Sequence, residues 1–319
     1  MKNIGIEEAR RVFGANHLPE PRTLRGIEVG FTNEVYSIDD IYILKVCTDP
    51  RNEQAFRIED AMYRRFRDML PVPNVLAFDA SREILKYPYF IYPRIPGDNL
   101  YNQWHLYSNT TRRSIVKELC GMLRCIASTD LQDLPDIISP VHSWKETVLQ
   151  RIQTHVDICG RAGYLSHAEV EVIERFCTNN AACLSEQHMA LVYWDAHFDN
   201  VLVRDGEIVG LLDFERTSIA SMDFMLDVVK RMVEFPKKYM SAYAEQFARS
   251  EDYAELLAWY KEFFPEAFAF SSLPCRLDLY ALAHDLEDLE SWPNVPELKA
   301  NILRVAASHH DEGGRLPGL

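Results

Sequence analysis

The sequence predicts an α+β protein in which a small, strand-rich part precedes a larger and mostly helical part. β-Branched and aromatic runs typical of strands dominate residues 27–95, whereas apolar residues at helical spacing dominate from residue 111 onward. The turn sequence PGDN at 96–99 separates the two patterns. We therefore expect an N-terminal lobe over residues 1–97 and a C-terminal lobe over residues 98–319.

The elements of the N-terminal lobe follow from local pattern. A first helix is followed by strand-like runs at 27–38 and 41–46, and the Asp39-Asp40 pair between them predicts a hairpin. Residues 53–70 carry apolar side chains at helical spacing, and the PVP sequence at 71–73 ends that helix. Two further strands are expected, at 75–79 and 88–95.

Helices dominate the C-terminal lobe. They are expected at 111–128, at 145–159, after the capping box that starts at Ser166, and at 237–248, 251–263, 274–290 and 295–307. The runs NVLV and EIVGLLDF flank Asp205-Gly206 and predict one β-hairpin. In a regular hairpin Asn200 pairs with Leu211, which places Asn200 and Asp213 on one face.

Composition and charge narrow the classes of ligand and cellular location that the chain is expected to have. The chain has 319 residues, 47% of them hydrophobic, and a formal charge of −14. Residues 1–97 hold 14 basic and 14 acidic side chains, so the whole excess lies in residues 98–319. Such an acidic surface repels nucleic acid and suits a cationic ligand. No segment has the apolar length of a membrane span, the start lacks a signal-peptide pattern, and the seven cysteines are scattered. We expect a cytoplasmic, reduced protein.

Residues 193–215 (YWDAHFDNVLVRDGEIVGLLDFE) place acidic and amide side chains around two apolar runs. Carboxylates beside a core are costly unless they are paired, and three interpretations account for them. They form a turn with solvated ends, or Asp195, His197 and Asp199 form a metal trio along an extended strand. In the third interpretation, Asn200 and Asp213 supply hard oxygen ligands to a divalent cation in a phosphoryl-transfer site.

Phosphoryl transfer also needs a cation on the nucleotide phosphates. Lys45 interrupts the apolar strand IYILKV, and Glu59 lies on the helix that follows. Each residue alone is typical of a solvated edge or helix face. Together they supply the part that the third interpretation requires.

These motifs, taken in order, resemble the aminoglycoside phosphotransferase family, a branch of the protein-kinase-like fold. YWDAHFDN at 193–200 is similar to the family's catalytic loop H-G-D-x-H-x-x-N, and LDFE at 212–215 to its I-D-[WF]-E. GFTNEVY at 30–36, LKV at 44–46 and FIYPRIPG at 90–97 resemble its phosphate-covering turn, lysine strand and hinge. The resemblance covers roughly residues 25–230.

The resemblance implies a two-lobed protein-kinase-like fold that transfers the γ-phosphate of ATP or GTP to a hydroxyl group. Asp195 would accept or orient the hydroxyl proton, and Asn200 and Asp213 would hold Mg²⁺. Lys45, held by Glu59, would contact the phosphates. The remaining nucleotide contacts are assigned to the backbone of Phe31, Thr32 and Asn33 over the phosphates, and of Pro93 and Ile95 beside the adenine.

The acidic C-terminal lobe favours a cationic acceptor such as an aminoglycoside antibiotic, with Asp199, Asp223 and Asp227 as candidate substrate contacts. A metabolic small-molecule kinase for choline, homoserine, methylthioribose or a macrolide-type acceptor is an alternative. The acidic residues at 278–290 are expected on a solvated helix face.

Three departures from the family pattern occur in the catalytic loop. Asp199 replaces a glycine beside Asn200, where an acidic contact to metal or cationic substrate and a solvated loop charge both remain open. Tyr193 replaces a histidine, which predicts altered packing around Asp213, and Trp194 replaces a glycine, where core filling is expected. They motivate a further alternative, a non-catalytic nucleotide-binding pseudokinase.

Overall fold

The computed structural model of the protein describes residues 4–27 and 33–308. Its first part contains the strands β1 (Leu24–Ile27), β2 (Glu34–Ile38), β3 (Tyr42–Val46), β4 (Ala77–Asp79) and β5 (Tyr89–Pro93). They form an antiparallel sheet with the order β1-β2-β3-β5-β4. Helix α1 (Ile6–Ala15) precedes the sheet, and helix α2 (Glu53–Phe66) connects β3 to β4. These elements match the predicted order.

The two faces of this sheet pack against different helices. Because side chains alternate along a strand, Leu44 and Val46 of β3 share one face and Ile43 and Lys45 share the other. Leu44 and Val46 belong to a hydrophobic cluster with residues of α1, whereas Ile43 belongs to a cluster that contains Phe56 of α2. Lys45 therefore faces α2.

The strands of the second part form two further sheets. The strands are β6 (Asp98–Asn99), β7 (Met189–Tyr193), β8 (Val201–Arg204), β9 (Glu207–Leu211) and β10 (Thr217–Ser221). β6, β8 and β9 form one antiparallel sheet, and β7 pairs with β10. The β8–β9 hairpin agrees with the sequence pattern, whereas β7 and β10 were not predicted, because short apolar runs do not distinguish strand from helix.

Helices make up most of the remaining chain. They are α3 (Leu100–Trp104), α4 (Asn109–Ala127), α5 (Trp144–Arg161), α6 (His167–Asn180), α7 (Met225–Glu234), α8 (Ala242–Glu245), α9 (Leu256–Phe263), α10 (Leu273–Ser291) and α11 (Pro296–Ala306). The helices predicted from sequence correspond to α4, α5, α6, α9, α10 and α11. The helix predicted at 237–248 is wrong in extent, since only the short α8 forms there.

The large hydrophobic cluster continues from α2 and β5 into the helical part. Helix α10 lies inside it and is buried on most of its surface. Asp285 and Asp288 of α10 are 1% and 8% exposed. The predicted solvated face is therefore wrong for these two residues, because both are ion-paired to basic residues that precede α8 in the chain.

A disulfide between Cys183 and Cys275 joins the segment after α6 to the first turn of α10. The expectation of a reduced protein is therefore wrong for this pair. The two cysteines are 92 residues apart, so their spacing in the sequence does not indicate a disulfide. Among the described residues, no helix combines the length and the apolar character needed to cross a membrane.

Candidate active site

The β8–β9 hairpin contains a bulge that the sequence pattern did not predict. Its register is regular near the turn, but Leu202 pairs with Gly210, one residue later than a regular ladder requires. As a result the Leu212 N–H donates to the Asn200 carbonyl at 2.9 Å. The predicted pairing of Asn200 with Leu211 is therefore wrong by one residue.

Asp213 follows this hairpin in a left-handed backbone conformation, with φ 59° and ψ 62°. For a residue other than glycine, this conformation costs on the order of 1 kcal/mol. It brings the Asp213 carboxylate to Lys45, whose Nζ lies 3.2 Å from Asp213 Oδ1. The hairpin and the N-terminal sheet thus meet at a charged contact.

Lys45 and Glu59 form a buried ion pair with 2.6 Å between Nζ and Oε2. Glu59 lies on the buried stripe of α2 with Phe56 and Tyr63, so it faces the side of β3 from which Lys45 projects. Burial lowers the pKa of Lys45, but the carboxylates of Asp213 and Glu59 outweigh this effect and raise the pKa well above its ordinary value. Lys45 therefore keeps its charge.

Asp195 lies just after β7, and its side chain is 16% exposed. Burial, followed by repulsion from Asp213, raises the pKa of this carboxyl to about 7, and Arg216 opposes the rise. The Asn200 amide donates to the Asp195 carbonyl at 2.9 Å, which ties the loop to the start of β8. His197 Nε2 lies 3.4 Å from Asp195 Oδ1.

The loop around His197 is not extended, since residues 198–200 form a turn of 3₁₀ helix. The interpretation of Asp195, His197 and Asp199 as a metal trio along a strand is therefore wrong. His197 Nδ1 accepts from the Asp199 N–H at 3.2 Å, and burial lowers the pKa of His197 to about 4. The Asn99 amide holds the Asp199 carboxylate at 2.6 Å and also donates to the Asp199 carbonyl.

Three carboxylates of the site converge. Glu59, Asp213 and Glu215 each present an oxygen, and these atoms lie within 4.8 Å of one another. Lys45 is the cation that contacts Glu59 and Asp213. Because their oxygen atoms lie so close together, these carboxylates fit a hard divalent cation such as Mg²⁺. Asn200, the second predicted ligand, donates its side-chain amide to the Asp195 carbonyl at 2.9 Å.

Three residues were assigned to the turn over the phosphates. Phe31 and Thr32 lie outside the described residues. The Asn33 amide donates to Glu215 Oε2 at 2.8 Å, and its carbonyl oxygen is buried without a hydrogen-bond partner among the described residues. Asn33 is therefore tied by its side chain to the segment that carries Asp213.

The predicted adenine contacts lie where the chain leaves the sheet. Pro93 ends β5 opposite Tyr42 of β3, and Ile95 lies between β5 and β6. A Cβ atom at Gly210 would lie 3.3 Å from Ile95 Cδ1, so the glycine lets this segment pack against the hairpin. The segment thus lies between the sheet and the loop that carries Asp195.

Two of the predicted substrate contacts are misplaced. Asp223 and Asp227 are both 0% exposed. Asp223 is held by Arg276, Ser221 and Tyr280, and Asp227 accepts from Arg231 through both carboxylate oxygens. The prediction that they contact substrate is wrong, because both carboxylates are buried and already paired.

Trp194 is 4% exposed and packs against Phe224 and His284, as expected of a core-filling residue. Sequence reasoning missed two other residues at the site. Tyr63 contacts Glu59, Glu215 contacts Asn33, and both are buried. The spacing of Tyr63 four residues after Glu59 on one helix face was the available signal.

Comparison with known proteins agrees with this geometry. A family model described as "Phosphotransferase enzyme family" matches residues 23–263. No curated protein matches the chain at significant similarity.

Several solved structures share the fold. The gentamicin complex of APH(2")-IIa has a TM-score of 0.71 at 16% identity and covers 97% of this chain and 98% of its own. The ADP-bound aminoglycoside phosphotransferase APH(2'')-Ib has a TM-score of 0.68 at 16% identity, with 95% and 97% covered. A thermostable mutant of APH(4)-Ia, with AMP-PNP and hygromycin B, has a TM-score of 0.65 at 19% identity, with 95% and 98% covered.

The chain therefore has the two-lobed protein-kinase-like fold expected from its sequence. It belongs to the phosphotransferase enzyme family, because the family model matches most of its length. It is a small-molecule kinase.

Proposed function

We propose that this kinase transfers the γ-phosphate of ATP or GTP to a hydroxyl group of a small molecule. The observation that carries the proposal is the buried contact of Lys45 with both Glu59 and Asp213. It joins a phosphate-binding cation to a carboxylate suited to a metal ion. The relatives bound to ADP or to AMP-PNP support a nucleotide as co-substrate. A cytoplasmic location is part of the proposal, because the co-substrate is a cellular nucleotide.

The residues predicted to bind the nucleotide, the metal ion and the acceptor hydroxyl each have a role in this proposal, whereas Asp223 and Asp227 have none because both are buried and ion-paired. Asn200 and Asp213 hold Mg²⁺, which when bound neutralises charge on the β- and γ-phosphates. Lys45 contacts the phosphates and Glu59 fixes its position. The nucleotide is further held by the backbone of Phe31, Thr32 and Asn33 above the phosphates and of Pro93 and Ile95 beside the base. We also propose a division into lobes at residue 97, with this nucleotide between them.

Asp195 is the residue proposed to receive or orient the proton of the acceptor hydroxyl. A pKa of about 7 suits this role, because a general base works best when its pKa lies near the working pH. Repulsion from Asp213 contributes to that value. The same two carboxylates therefore connect metal binding with proton transfer.

The first acceptor class to test is the aminoglycosides, because the solved relatives are aminoglycoside phosphotransferases bound to gentamicin or hygromycin B. A second class, metabolic hydroxyl compounds with less positive charge, is favoured by a specific observation. Asp223, Asp227, Asp285 and Asp288 each have an arginine or lysine partner within 4 Å. These carboxylates are therefore not available to bind a polyamine, and Asp199 is the remaining acidic candidate.

The test is release of nucleoside diphosphate with Mg-ATP and Mg-GTP against a panel of acceptors. The panel contains aminoglycosides, a macrolide, choline, homoserine and methylthioribose, and the control is Asp195→Asn. Acceptor-dependent turnover that is lost in the control supports the proposal and identifies the acceptor class. Nucleotide binding without turnover for any acceptor would favour the pseudokinase alternative.

A further inference from the structure

We infer that the hydroxyl groups of Tyr63 and Tyr193 clamp the peptide bond between Leu212 and Asp213 and thereby position Asp213 for the metal-bound nucleotide. Tyr63 and Tyr193 are positioning residues, since they act through Asp213. The inference rests on the proposed function for the role of Asp213. It adds two residues whose hydroxyl groups hold Asp213 in place for the proposed reaction.

The clamp acts on the two polar groups of a single peptide unit. The Asp213 N–H donates to the Tyr63 hydroxyl at 2.9 Å, and the Leu212 carbonyl accepts from the Tyr193 hydroxyl. The described residues contain no cis peptide bonds, and in a trans peptide the N–H and C=O point in opposite directions. The two tyrosines therefore hold this peptide from opposite sides.

The backbone at Asp213 needs such support. Its φ of 59° lies in the left-handed region, which is unfavourable for an aspartate compared with glycine. Its carboxylate also lies within 4.8 Å of the Glu59 and Glu215 carboxylates, which repel it. Both effects favour departure from the observed conformation, and fixing the preceding peptide opposes them.

Tyr63 also connects Asp213 to the ion pair of the N-terminal sheet. Its hydroxyl donates to Glu59 Oε1 at 2.7 Å, while Glu59 Oε2 accepts from Lys45 and Lys45 contacts Asp213 Oδ1. A hydroxyl has one donor and two acceptor positions, so it can donate to Glu59 while it accepts from Asp213. The result is a closed ring of hydrogen bonds through Lys45, Glu59, Tyr63 and Asp213.

Aromatic packing holds the rings of both tyrosines beside this peptide. The Tyr193 ring stacks on Phe214 with 4.3 Å between centroids, and the Tyr63 ring meets Phe214 edge-on at 5.6 Å. Both tyrosines are 1% exposed. Packing therefore fixes the rings, and phenylalanine can reproduce that packing, so the hydroxyl groups alone supply the clamp.

The experiment compares Tyr63→Phe, Tyr193→Phe and the double variant with the full-length protein. The matched control is Tyr260→Phe, because Tyr260 is 0% exposed and its hydroxyl has no hydrogen-bond partner among the described residues. The readout is binding of Mn²⁺, as a paramagnetic probe of the magnesium site, to the ADP complex. Turnover with Mg-ATP is measured in parallel, and so is ADP binding without metal.

Each single variant is expected to weaken Mn²⁺ binding by about threefold to tenfold, the effect of one lost hydrogen bond. The loss of Mn²⁺ affinity in the double variant is expected to differ from the product of the two single losses, because both hydroxyls act on one peptide. ADP binding without metal and the Tyr260→Phe control should be unchanged. Unchanged Mn²⁺ binding in both single variants, or a loss of thermal stability alone, overturns the clamp. Absence of turnover in the unmutated protein contradicts the proposed function instead, and the Mn²⁺ measurement then still decides the inference.

Discussion

Two acidic clusters of this molecule differ in how their charge is compensated. The site cluster consists of Glu59, Asp195, Asp213 and Glu215, and within it Lys45 contacts Glu59 and Asp213. The helix cluster consists of Asp223, Asp227, Asp285 and Asp288, and each of these carboxylates has an arginine or lysine partner. The acids of the helix cluster therefore have the partners expected of a structural role, and we propose a reactive role for those of the site cluster.

The pKa shifts run in opposite directions in the two clusters. Burial and then Asp213 raise the pKa of Asp195 to about 7. Burial also acts to raise the pKa of Asp227, but Arg231 and His284 outweigh it and lower the pKa below its ordinary value. A buried carboxylate without a cation partner thus binds a proton or a metal ion more readily than one that is ion-paired.

The largest expected effect concerns Asp195→Asn. Turnover should fall by about 100- to 10,000-fold, because the amide cannot accept the hydroxyl proton. The free energy of unfolding at pH 7 should rise by about 1–2 kcal/mol, since the raised pKa of Asp195 means that its ionised form opposes folding. Kinetics and urea denaturation measure the two effects. A variant that loses activity and stability together would contradict this account.

The second prediction removes a cation from the helix cluster. Arg276→Met leaves Asp223 buried and uncompensated, and should lower the free energy of unfolding by about 3–5 kcal/mol. Arg276 is 0% exposed and also donates to the carbonyls of Cys183 and Glu186. Urea denaturation is the measurement, and adding Asp223→Asn should recover part of the loss. A loss of unfolding free energy below about 1 kcal/mol would contradict the view that the helix cluster depends on its basic partners.

Local patterns in the sequence predicted the parts of the site that depend on neighbours along the chain. Alternation along β3 and the buried stripe of α2 bring Lys45 and Glu59 together, and Asp205-Gly206 forms the predicted hairpin turn. Strand alternation applied to a regular hairpin failed at Asn200, because the bulge adds one residue that composition does not reveal.

The charge balance of the helix cluster was unpredictable for a different reason. Asp223 pairs with Arg276, which is 53 residues away, and Asp227 and Asp285 share Arg231 across two helices. The assignment of Asp223 as a substrate contact failed because pairing over 53 residues depends on how the helices pack. For Asp227, Arg231 four residues later on the same helix was a local signal of pairing.

The third prediction concerns pH and the helix cluster. Burial, followed by the charge of Arg231, lowers the pKa of His284 to about 4. In the unfolded chain its pKa is about 6.5, so the unfolded state binds more protons between these values. Stability should therefore fall as the pH drops from about 6.5 to 4, by up to about 3 kcal/mol for this residue. His284→Gln should reduce the slope of unfolding free energy against pH, and an unchanged slope would contradict the assignment. His197, with a pKa also lowered to about 4, adds a slope of the same sign, whereas Asp195, with a pKa raised to about 7, adds a slope of the opposite sign.

The smallest expected effect is that of Lys238→Ala. Lys238 Nζ lies 2.7 Å from Asp288 and 3.5 Å from Asp285, and its side chain is 22% exposed. Asp285 keeps Arg231 at 2.7 Å, so the variant leaves only Asp288 with reduced compensation. The free energy of unfolding should fall by about 1 kcal/mol, within the range of partly exposed ion pairs. Denaturation in low and in high salt measures it, because screening reduces an exposed pair more than a buried one. A loss as large as that of Arg276→Met would mean that charge balance in the helix cluster depends on the whole network rather than on individual pairs.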